Sequence, residues 1–371
     1  MNSDRPRHLF HVFPSFAIGG SQMRLATLIS ALGPGYRHTI VSLSGVSSAM
    51  DLIAPGLAVE FTGPVDQGGA LPARLWKNAG RLWRERPDLL LTYNFGAIEF
   101  ALANLVVGRP HIHFEDGFGP DEAFGLKPHR GTIRRFALAR SRIVAPSRKL
   151  YGLAQTEWKF SPERVHYIPN GIEAKNFTGV PLEPFGVPDR KNAVRIAWAG
   201  AFRPEKNPAR LIRALAKTSG SSVLVLIGEG PERPHLEAEI DRLGLRSRVF
   251  FTGARTDVRE LVASCDILSL SSDTEQMPYV VLEAMDAAKP VASVDVGDVK
   301  VMLSGANNPY VVPLDEDRLA QALQSLSADP ELRREVGLAN QRRVRAVFSL
   351  EAMVTAYEAL FRSVMTRKAQ A

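Results

Sequence analysis

Short apolar runs alternate along this chain with longer segments in which apolar residues recur every three or four positions. In the first half, the runs predict strands near 8–14, 38–44, 88–93, 111–115 and 141–146. In the second half, they predict strands near 194–199, 223–228, 248–252, 266–271, 290–294 and 310–312. Short apolar runs separated by helices are typical of a parallel sheet that is covered on both faces. The sequence therefore predicts an α/β protein in which a doubly wound pattern occurs twice.

Length and local composition agree with two domains. A chain of 371 residues exceeds the roughly 250–300 residues at which a single hydrophobic core stops growing. A proline-rich passage, 180–188, lies between the two copies of the pattern and predicts an interdomain linker. We therefore expect one Rossmann-like domain over 1–186 and a second over 187–349.

The composition also indicates where the protein works. Its hydrophobic content of 45% and charged content of 23% are those of a globular protein. No apolar run reaches the roughly 18–20 residues that cross a bilayer, and the polar residues 1–7 lead directly into a strand, so we expect no secretory signal. Cys265 is the single cysteine, which excludes an internal disulfide and a zinc site built from cysteines. We expect a cytoplasmic protein.

Positive charge is concentrated in the first half of the chain. The net charge is +7, and residues 1–185 hold 21 Lys and Arg against 15 Asp and Glu, whereas the remainder holds 25 against 24. Two basic stretches stand out: 74–86, which contains Trp76 and Trp83, and 127–149, which has no acidic residue. Basic residues beside tryptophan suit peripheral binding to the anionic inner face of the cytoplasmic membrane. Ordinary surface helices with a solvated basic side explain the same pattern. No nucleic-acid-binding module is recognisable, so we expect no nucleic-acid partner.

The most informative segment follows the predicted strand 266–271. Pro278 suits the first position of a helix, which places Glu275 in the strand-to-helix loop and Glu283 about one turn into the helix. Backbone amides at the start of a helix bind anions. Two carboxylates on either side of such a start suit a ligand with an anionic middle and hydroxyls at both ends, such as a sugar nucleotide.

The spacing of Glu275 and Glu283, followed by Ala284-Met285, resembles the donor-site motif of the retaining family 4 glycosyltransferases, which have the GT-B fold. A helix that merely carries a surface glutamate is the competing explanation. In this chain Gln276 and Met277 replace the Gly-Phe that is common in the family after the first glutamate. The identity of the donor sugar therefore does not carry over.

A second element that resembles the family opens the C-terminal half. Gly200 follows a predicted strand, and Arg203 and Lys206 come before the next helix. Cations at this position can stabilise the charge of a departing nucleoside diphosphate. Family members carry another arginine directly after the glycine, where this chain has Ala201.

Glycines at the ends of other strands form weaker elements of the same resemblance. Gly228 and Gly253 each end a predicted strand in the C-terminal half, where family members bind the donor. Gly19 and Gly20 precede the first helix and resemble the family's Gly-Gly-x-Glu loop, with Gln22 in place of the acid. Glycines there let the backbone approach a ligand.

Segment 113–119 follows a predicted strand of the first half. Many relatives have Glu-His-Gly in this segment, so Asp116 stands in the place of a family histidine, and His113 lies three residues earlier. Either side chain could assist the acceptor hydroxyl or position the donor sugar. A turn-forming aspartate and a strand histidine are the structural alternatives.

No metal site is expected. His111 and His113 lie on one predicted strand, and we expect their rings to turn to opposite faces. The acidic residues 315–317 start a predicted helix, where negative charge interacts favourably with the dipole. Arg203 and Lys206 can do what a divalent ion does in other glycosyltransferases, so we expect neither a metal nor any other cofactor.

The resemblance covers nearly the whole chain and implies two Rossmann-like domains that face each other across a cleft. It also implies a C-terminal helix, within 350–371, that packs back on the N-terminal domain. The implied activity is metal-independent, retaining transfer of a sugar from a nucleotide sugar to a glycan or lipid-linked acceptor. Such a reaction belongs to the synthesis of cell-surface polysaccharide or glycolipid.

Each motif residue takes a role from this resemblance. Arg203 and Lys206 would bind the diphosphate, Glu275 the sugar, and Glu283 the ribose. The donor-binding set would further include Gln276, Met277, Pro278 and Tyr279, whose backbone would stabilise the departing charge. Two alternatives remain: a non-catalytic sugar-nucleotide-binding protein, favoured by the substitutions at Gln22, Asp116 and Gln276, and a sugar-nucleotide epimerase of the same fold.

Overall fold

The computed structural model describes residues 5–117, 125, 127–187, 193–220 and 222–366. The chain forms two compact units. Unit 1 comprises Met1–Asn170 and Glu351–Ala371, and unit 2 comprises Gly171–Leu350.

In its described residues, unit 1 contains one sheet of seven strands, and every neighbouring pair is parallel. The strands are β1 (Arg7–Phe13), β2 (Tyr36–Ser42), β3 (Val59–Thr62), β4 (Leu89–Tyr93), β5 (His111–Phe114), β6 (Arg142–Ala145) and β7 (Val165–Tyr167). Their order in the sheet is β3-β2-β1-β4-β5-β6-β7. The helices up to residue 170 are α1 (Gly20–Leu32), α2 (Leu71–Glu85), α3 (Ile98–Val107), α4 (Pro128–Ala137) and α5 (Arg148–Thr156).

Unit 2 repeats this plan with a sheet of six described strands, again parallel throughout. The strands are β8 (Arg195–Ala199), β9 (Val223–Ile227), β10 (Val249–Gly253), β11 (Ile267–Leu270), β12 (Val291–Val294) and β13 (Val311–Val312), in the order β10-β9-β8-β11-β12-β13. The helices are α6 (Pro208–Ala216), α7 (Arg233–Arg242), α8 (Val258–Ala263), α9 (Tyr279–Asp286), α10 (Val299–Met302), α11 (Glu316–Ala328) and α12 (Pro330–Val347). Helix α13 (Leu350–Thr366) follows.

Short 3-10 helices complete the described secondary structure. They lie at Gly33–Gly35, Ser48–Leu52, Phe95–Ala97, Pro162–Arg164, Glu183–Phe185, Pro204–Lys206 and Gly305–Tyr310.

The apolar pattern explains these elements. Strands β4 and β9 are buried along their whole length, because helices cover both faces of a parallel sheet. Helix α1 buries Leu25, Leu28, Ile29 and Leu32, whose spacing of three and four residues forms one apolar stripe. The prediction of two doubly wound, Rossmann-like α/β sheets is confirmed.

The boundary between the units lies elsewhere than the composition indicates. The chain passes from unit 1 to unit 2 at Asn170–Gly171, whereas the sequence analysis placed the boundary at 186–187. The described part of the proline-rich passage belongs to unit 2, where Leu182 and Val187 are buried in the hydrophobic core. Its last residue, Pro188, lies outside the described residues.

The C-terminal segment belongs to unit 1, together with the N-terminal residues. Helix α13 buries Tyr357 and Phe361, and the ring centroid of Tyr357 lies 5.9 Å from that of Phe114 at the end of β5. Residues 367–371 of the predicted helix lie outside the described residues.

The prediction that His111 and His113 face opposite sides of their strand was wrong. Side chains alternate along a strand with a period of two, so residues two apart share a face. The hydroxyl of Thr92 on β4 lies 2.9 Å from Nε2 of His111 and 2.7 Å from Nδ1 of His113. Burial lowers the pKa of His111 well below its usual value, and its Nδ1 lies 2.7 Å from the hydroxyl of Ser141.

A second group of buried histidines links β1, β2 and β4. His11 lies between two partners: its Nδ1 is 3.1 Å from the Tyr93 hydroxyl, and its Nε2 is 3.1 Å from Nδ1 of His38. Nε2 of His8 is 2.8 Å from the Thr39 hydroxyl. Burial lowers the pKa of His8 and of His38 to about 4, and that of His11 well below its usual value of 6.5. The core of unit 1 therefore accommodates these rings in their neutral form.

We expect acid to destabilise unit 1. Unfolded histidines take up protons near pH 6.5 and the folded His8 and His38 only near pH 4, so the unfolded state binds more protons between these values. The stability contributed by the neutral rings is present above about pH 6.5 and is lost as the pH falls toward 4, at about 1.4 kcal/mol for each unit of pKa difference. Denaturant unfolding at several pH values measures this slope.

The matched variants are His38→Gln and His129→Gln. His38→Gln should flatten the pH slope, whereas His129→Gln, on the exposed side of α4, should leave it unchanged. Equal slopes in the wild type and His38→Gln would contradict the assignment.

Candidate active site

Two loops leave the carboxyl ends of the central strands of unit 2. The loop after β8 carries Gly200, Arg203 and Lys206, and the loop after β11 carries Glu275. The strand order reverses between β8 and β11, because β9 and β10 follow β8 on one side and β11 to β13 extend on the other. Ligands of doubly wound sheets bind outside the carboxyl ends of the strands at such a reversal.

Lys206 and Glu275 form an ion pair at this point. Nζ of Lys206 lies 2.6 Å from Oε1 of Glu275, and the hydroxyl of Ser272 donates a hydrogen bond to the same oxygen at 2.8 Å. Arg203 is 59% exposed, and Glu205 is the carboxylate next to it, at 4.0 Å. The site thus combines one cation paired with a carboxylate that is only 9% exposed and one cation that reaches into solvent.

Asp273 joins the two loops, and sequence reasoning missed it. Its carboxylate accepts hydrogen bonds from Nδ2 of Asn207 at 3.1 Å and from the guanidinium of Arg210 at 2.5 Å. Its backbone N–H donates to the carbonyl of Glu205 at 2.8 Å. Asp273 stands two residues before Glu275, and this spacing could have marked it as a second acid of the same loop.

The three predicted glycines of unit 2 lie in backbone contact. The N–H of Gly200 donates to the carbonyl of Ile227 at 3.0 Å, and Gly228 forms a bridge with Gly253. Gly228 has a φ of 148°, and a Cβ atom on it would overlap the carbonyl oxygen of Gly200. Only glycine permits this approach, so the loops after β8, β9 and β10 present main chain to the site.

Helix α9 begins at Tyr279, one residue later than predicted. Pro278 is therefore its N-cap residue and not its first helical residue. Gln276 and Met277 are buried. The carbonyl of Gln276 accepts a hydrogen bond from the N–H of Asp298 at 2.8 Å. The neighbouring Gly297 is a further residue that the sequence analysis missed. With a φ of 55°, it packs so closely that an added Cβ would lie 2.5 Å from the carbonyl oxygen of Glu275.

Glu283, on the second turn of α9, is almost fully buried. Burial raises the pKa of its carboxyl to about 7, and the positive charge of Arg259 offsets only part of this effect. A buried carboxyl with a raised pKa is common at ligand-binding sites. Its oxygens can accept hydrogen bonds from the hydroxyls of a ligand.

In unit 1, the predicted Gly19 and Gly20 lie at the start of α1. Gln22 turns back onto its own loop, where its Nε2 donates to the carbonyl of Ser15 at 2.9 Å and its Oε1 accepts from the hydroxyl of Ser21 at 2.9 Å. Gln22 therefore stabilises the loop that follows β1.

Asp116 follows β5 and forms a buried ion pair with Arg24 of α1, 2.7 Å apart. The backbone N–H of Asp116 donates to Oδ1 of Asn94 at 2.7 Å. Both side chains of the ion pair are almost fully buried. Arg24 and Asn94 are functional candidates that the sequence analysis did not single out.

His113 lies in the interior of unit 1. Its side chain is fully buried, with Nδ1 next to the Thr92 hydroxyl and Nε2 3.3 Å from Oε2 of Glu115. Because both ring nitrogens have partners inside the protein, we assign His113 to the buried hydrogen-bond network. Asp116 remains as the candidate for contact with substrate.

The same network neutralises a predicted surface cation. Arg134 is buried and donates to both carboxylate oxygens of Glu115, at 3.0 and 3.1 Å, and its guanidinium lies over the rings of Phe95 and Trp158. Burial raises the pKa of Glu115, but the hydrogen bond with His113 and the charge of Arg134 outweigh this and hold it below the usual value.

Comparison with known proteins identifies the family. The model described as "Glycosyl transferases group 1" matches residues 183–343, and the model described as "Glycosyltransferase Family 4" matches residues 18–176. Together the two models account for most of the chain. The chain therefore belongs to the family 4, group 1 glycosyltransferases.

A solved structure shares the fold. HepE of Anabaena, in complex with UDP and glucose, matches with a TM-score of 0.82 over 96% of this chain and 100% of that chain, at 20% sequence identity. This likeness shows the fold, and the prediction of the GT-B fold is confirmed.

Two curated relatives are similar in sequence over part of their length. The lipopolysaccharide core biosynthesis glycosyltransferase LpsD of Rhizobium meliloti is 35% identical over 171 residues, which cover 46% of this chain and 50% of that protein. The N-acetyl-alpha-D-glucosaminyl L-malate synthase of Bacillus anthracis is 27% identical over 226 residues, which cover 60% of this chain and 56% of that protein. The chain thus spans about half the length of these relatives.

We expect Glu283→Gln to stabilise the ligand-free protein at alkaline pH. The carboxyl ionises near pH 4.5 in the unfolded chain and near 7 in the folded one, so the buried charge destabilises the fold as the pH rises through 7. The melting temperature of Glu283→Gln should therefore exceed that of the wild type above about pH 7 and match it near pH 5.

Glu335→Gln, at an exposed position on α12, is the control and should show no such difference. A melting temperature of Glu283→Gln that is lower than that of the wild type at alkaline pH would show that Glu283 is held by favourable contacts.

Proposed function

We propose that this protein transfers a sugar from a nucleotide sugar to an acceptor hydroxyl, with retention of anomeric configuration and without a metal ion. The observation that carries the proposal is the Lys206–Glu275 pair at the strand-order reversal of unit 2. Nζ of Lys206, a cation that would bind a diphosphate, lies there 2.6 Å from the carboxylate of Glu275, which would bind sugar hydroxyls.

Charge accounts for the first half of the reaction. As the bond between the anomeric carbon and the phosphate oxygen breaks, negative charge builds up on the departing nucleoside diphosphate. Arg203 and Lys206 would bind that charge. The positive end of α9 would stabilise it further through the backbone around Met277, Pro278 and Tyr279. Retention rests on the family: the acceptor oxygen would attack from the face that the diphosphate leaves, and the departing phosphate oxygen would take its proton.

The two carboxylates would bind opposite ends of the donor. When Lys206 turns from Glu275 to the diphosphate, the carboxylate of Glu275 can accept hydrogen bonds from the sugar. Glu283, which is buried on the second turn of α9, would accept them from the ribose. Hydrogen bonds from ligand hydroxyls to these carboxyl oxygens would both contribute to donor affinity.

The names of the relatives suggest the acceptor. LpsD is named for the synthesis of lipopolysaccharide core, and HepE binds UDP and glucose. By analogy we propose a glycan or lipid-linked acceptor in cell-surface glycan synthesis, and a uridine diphosphate sugar is the first donor to test.

A lipid-linked acceptor fits an apolar surface of unit 1. Helix α3 packs against both α2 and α4, and each of the three helices exposes a large apolar side chain. Trp76 is 68% exposed, Val106 72% and Phe136 68%. The ring of Trp83, also exposed, lies 5.6 Å from that of Trp76. We name these four residues the aromatic face and propose that it binds an anionic membrane surface, because Trp and Phe next to Lys and Arg favour the headgroup region.

Not all of the predicted basic surface is available to a membrane. Arg134, within the stretch 127–149, is buried against Glu115, and Arg74 is paired with Glu99 at 2.6 Å. Arg84 of α2 is exposed beside Trp83. None of the helices that the structure describes has both the length and the hydropathy needed to span a bilayer.

Sedimentation with vesicles of mixed neutral and anionic lipid tests the aromatic face. We expect the wild type to bind at low salt and to dissociate as salt is raised, because the Debye length falls from about 10 Å at 0.1 M to about 3 Å at 1 M. The variant Trp76→Ser/Trp83→Ser/Phe136→Ser should stay in solution. The control Leu314→Ser/Val347→Ser removes exposed apolar side chains from unit 2 and should bind like the wild type. Wild type that stays in solution at low salt would favour a soluble acceptor.

The decisive test of sugar transfer is release of nucleoside diphosphate from a panel of nucleotide sugars, assayed in excess EDTA. We expect Lys206→Ala to lower this turnover at least ~100-fold, as for other losses of a transition-state charge partner. Lys217→Ala removes a lysine from a surface ion pair with Asp317 and should leave the rate unchanged. A folded Lys206→Ala variant with near-normal turnover would remove this residue from the mechanism.

Two further outcomes of this assay discriminate between functions. Activity that is lost in EDTA and restored by magnesium would contradict the metal-independent reaction. Tight binding of a nucleotide sugar with no turnover in the presence of candidate acceptors would identify a non-catalytic binding protein.

A further inference from the structure

Asn94 has a backbone conformation that residues with a Cβ atom rarely adopt. It follows β4 directly, with a φ of 56° and a ψ of 173°. This combination of positive φ with extended ψ is essentially that of glycine, and other residues keep it only where the surroundings impose it. Such strained residues cluster at sites of function.

The place of Asn94 in the fold agrees with a functional role. Strand β4 lies beside β1, and the strand order of unit 1 reverses between them. Asn94 is therefore the first residue beyond the carboxyl end of a strand at the reversal, where ligands of doubly wound sheets bind. Its position in unit 1 corresponds to that of Ser271 after β11 in unit 2.

Two contacts of Asn94 reach the end of β5 and the loop that follows it, while its carbonyl accepts the N–H of Ala97 at 3.1 Å. Its backbone N–H donates to the carbonyl of Phe114, the last residue of β5, at 2.8 Å. Its side-chain Oδ1 accepts the backbone N–H of Asp116 at 2.7 Å. Asn94 thus extends the pairing of β4 and β5 beyond the sheet and fixes the main chain at Asp116.

The carboxylate of Asp116 is fixed from the other side. Both of its oxygens lie close to the same guanidinium nitrogen of Arg24, at 2.7 and 2.8 Å, but only Oδ2 has the geometry of a hydrogen bond. Among the described residues, Oδ1 has no hydrogen-bond partner although it is buried. Buried acceptors without partners are rare in native proteins, and a ligand hydroxyl is one group that can satisfy them.

Glycine would take the conformation of Asn94 without strain. Compared with glycine, asparagine supplies a side-chain carbonyl at this position, and that carbonyl holds Asp116. We propose that Asn94 is a positioning residue that holds Asp116 so that its carboxylate accepts a hydrogen bond from a hydroxyl of a sugar substrate. This inference rests on the proposed sugar transfer and adds a residue of unit 1 to it.

Asn94→Gly tests the proposal, because it removes the carbonyl and relieves the strain at once. We expect the melting temperature to equal or exceed that of the wild type, since a residue with positive φ is replaced by glycine. Release of UDP from UDP-glucose, or from the uridine diphosphate sugar with the highest wild-type turnover, should fall at least ~10-fold, the usual effect of losing one orienting hydrogen bond. The thermal shift produced by UDP alone should not change, because Asp116 is assigned to the sugar.

Lys159→Gly is the matched control. Lys159 also has a φ of 56° and is exposed in the same unit, so its replacement likewise puts glycine at a position of positive φ, away from the site. It should keep wild-type turnover. The variant Asp116→Asn should lose turnover, and the double variant Asn94→Gly/Asp116→Asn should be no slower than Asp116→Asn alone, because residues that act through one group are not additive.

The outcomes distinguish a failure of the proposed sugar transfer from a failure of the role proposed for Asn94. If the wild type releases no UDP from any sugar of the panel, the proposed function fails and the role of Asn94 fails with it. If the wild type is active and Asn94→Gly is equally active, the role of Asn94 alone is overturned. A variant that loses turnover only in proportion to a lower melting temperature, or a double variant with additive losses, would also overturn it and leave Asn94 as a structural residue.

Discussion

Both units depend on a central parallel strand that has neighbours added on both sides, β1 in unit 1 and β8 in unit 2. Parallel strands need crossover connections, so every strand ends at the same edge of its sheet. The strand order reverses between β1 and β4 and between β8 and β11. At each reversal the connections from the two strands run in opposite directions, which leaves a crevice for a ligand between their loops. The candidate residues follow from this constraint: Lys206 and Glu275 come from the two loops at one reversal, and Asn94 follows a strand at the other.

The two ion pairs, one in each unit, differ in how easily they exchange partners. Arg24 and Asp116 are both buried, and removal of one partner from a buried pair leaves an uncompensated charge. Lys206 is 30% exposed, so its flexible side chain can leave Glu275 for another anion at lower cost. The carboxylate of Asp116 in unit 1 is therefore fixed, whereas Lys206 in unit 2 is a cation that can move between a protein carboxylate and a ligand.

Much of this architecture could be predicted from the sequence, because buried parallel strands are almost continuously apolar. The strands that the pattern missed are short edge strands: Val59–Thr62 alternates too weakly to stand out, and Val165–Tyr167 has three residues. Helix α12 was missed because only four of its eighteen residues are buried, which leaves little apolar periodicity. The linker was placed too late because prolines marked it, although Leu182 and Val187 belong to a core.

The motifs of unit 2 were found because their residues lie close together in the sequence within each loop. The partners in unit 1 could not be found this way: 92 positions separate Arg24 from Asp116. Burial of His113 and Arg134 depends on the packing of β4, α4 and their neighbours. The apolar pattern of a single strand does not show which elements pack against it. The strain at Asn94 is a property of the backbone alone.

The contact of Gly200, Gly228 and Gly253 has a consequence for how such a protein can change during evolution. A side chain at Gly228 is sterically forbidden, because its Cβ would overlap the carbonyl oxygen of Gly200, so the main chain at this point is the same whatever the ligand. Donor selectivity therefore has to change through side chains elsewhere, such as Gln276 and Met277, at the positions where this chain departs from the sequence common in the family. A library that varies these two positions and leaves Gly228 intact would explore donor preference, and its changes at Met277 would also alter the hydrophobic core of unit 2.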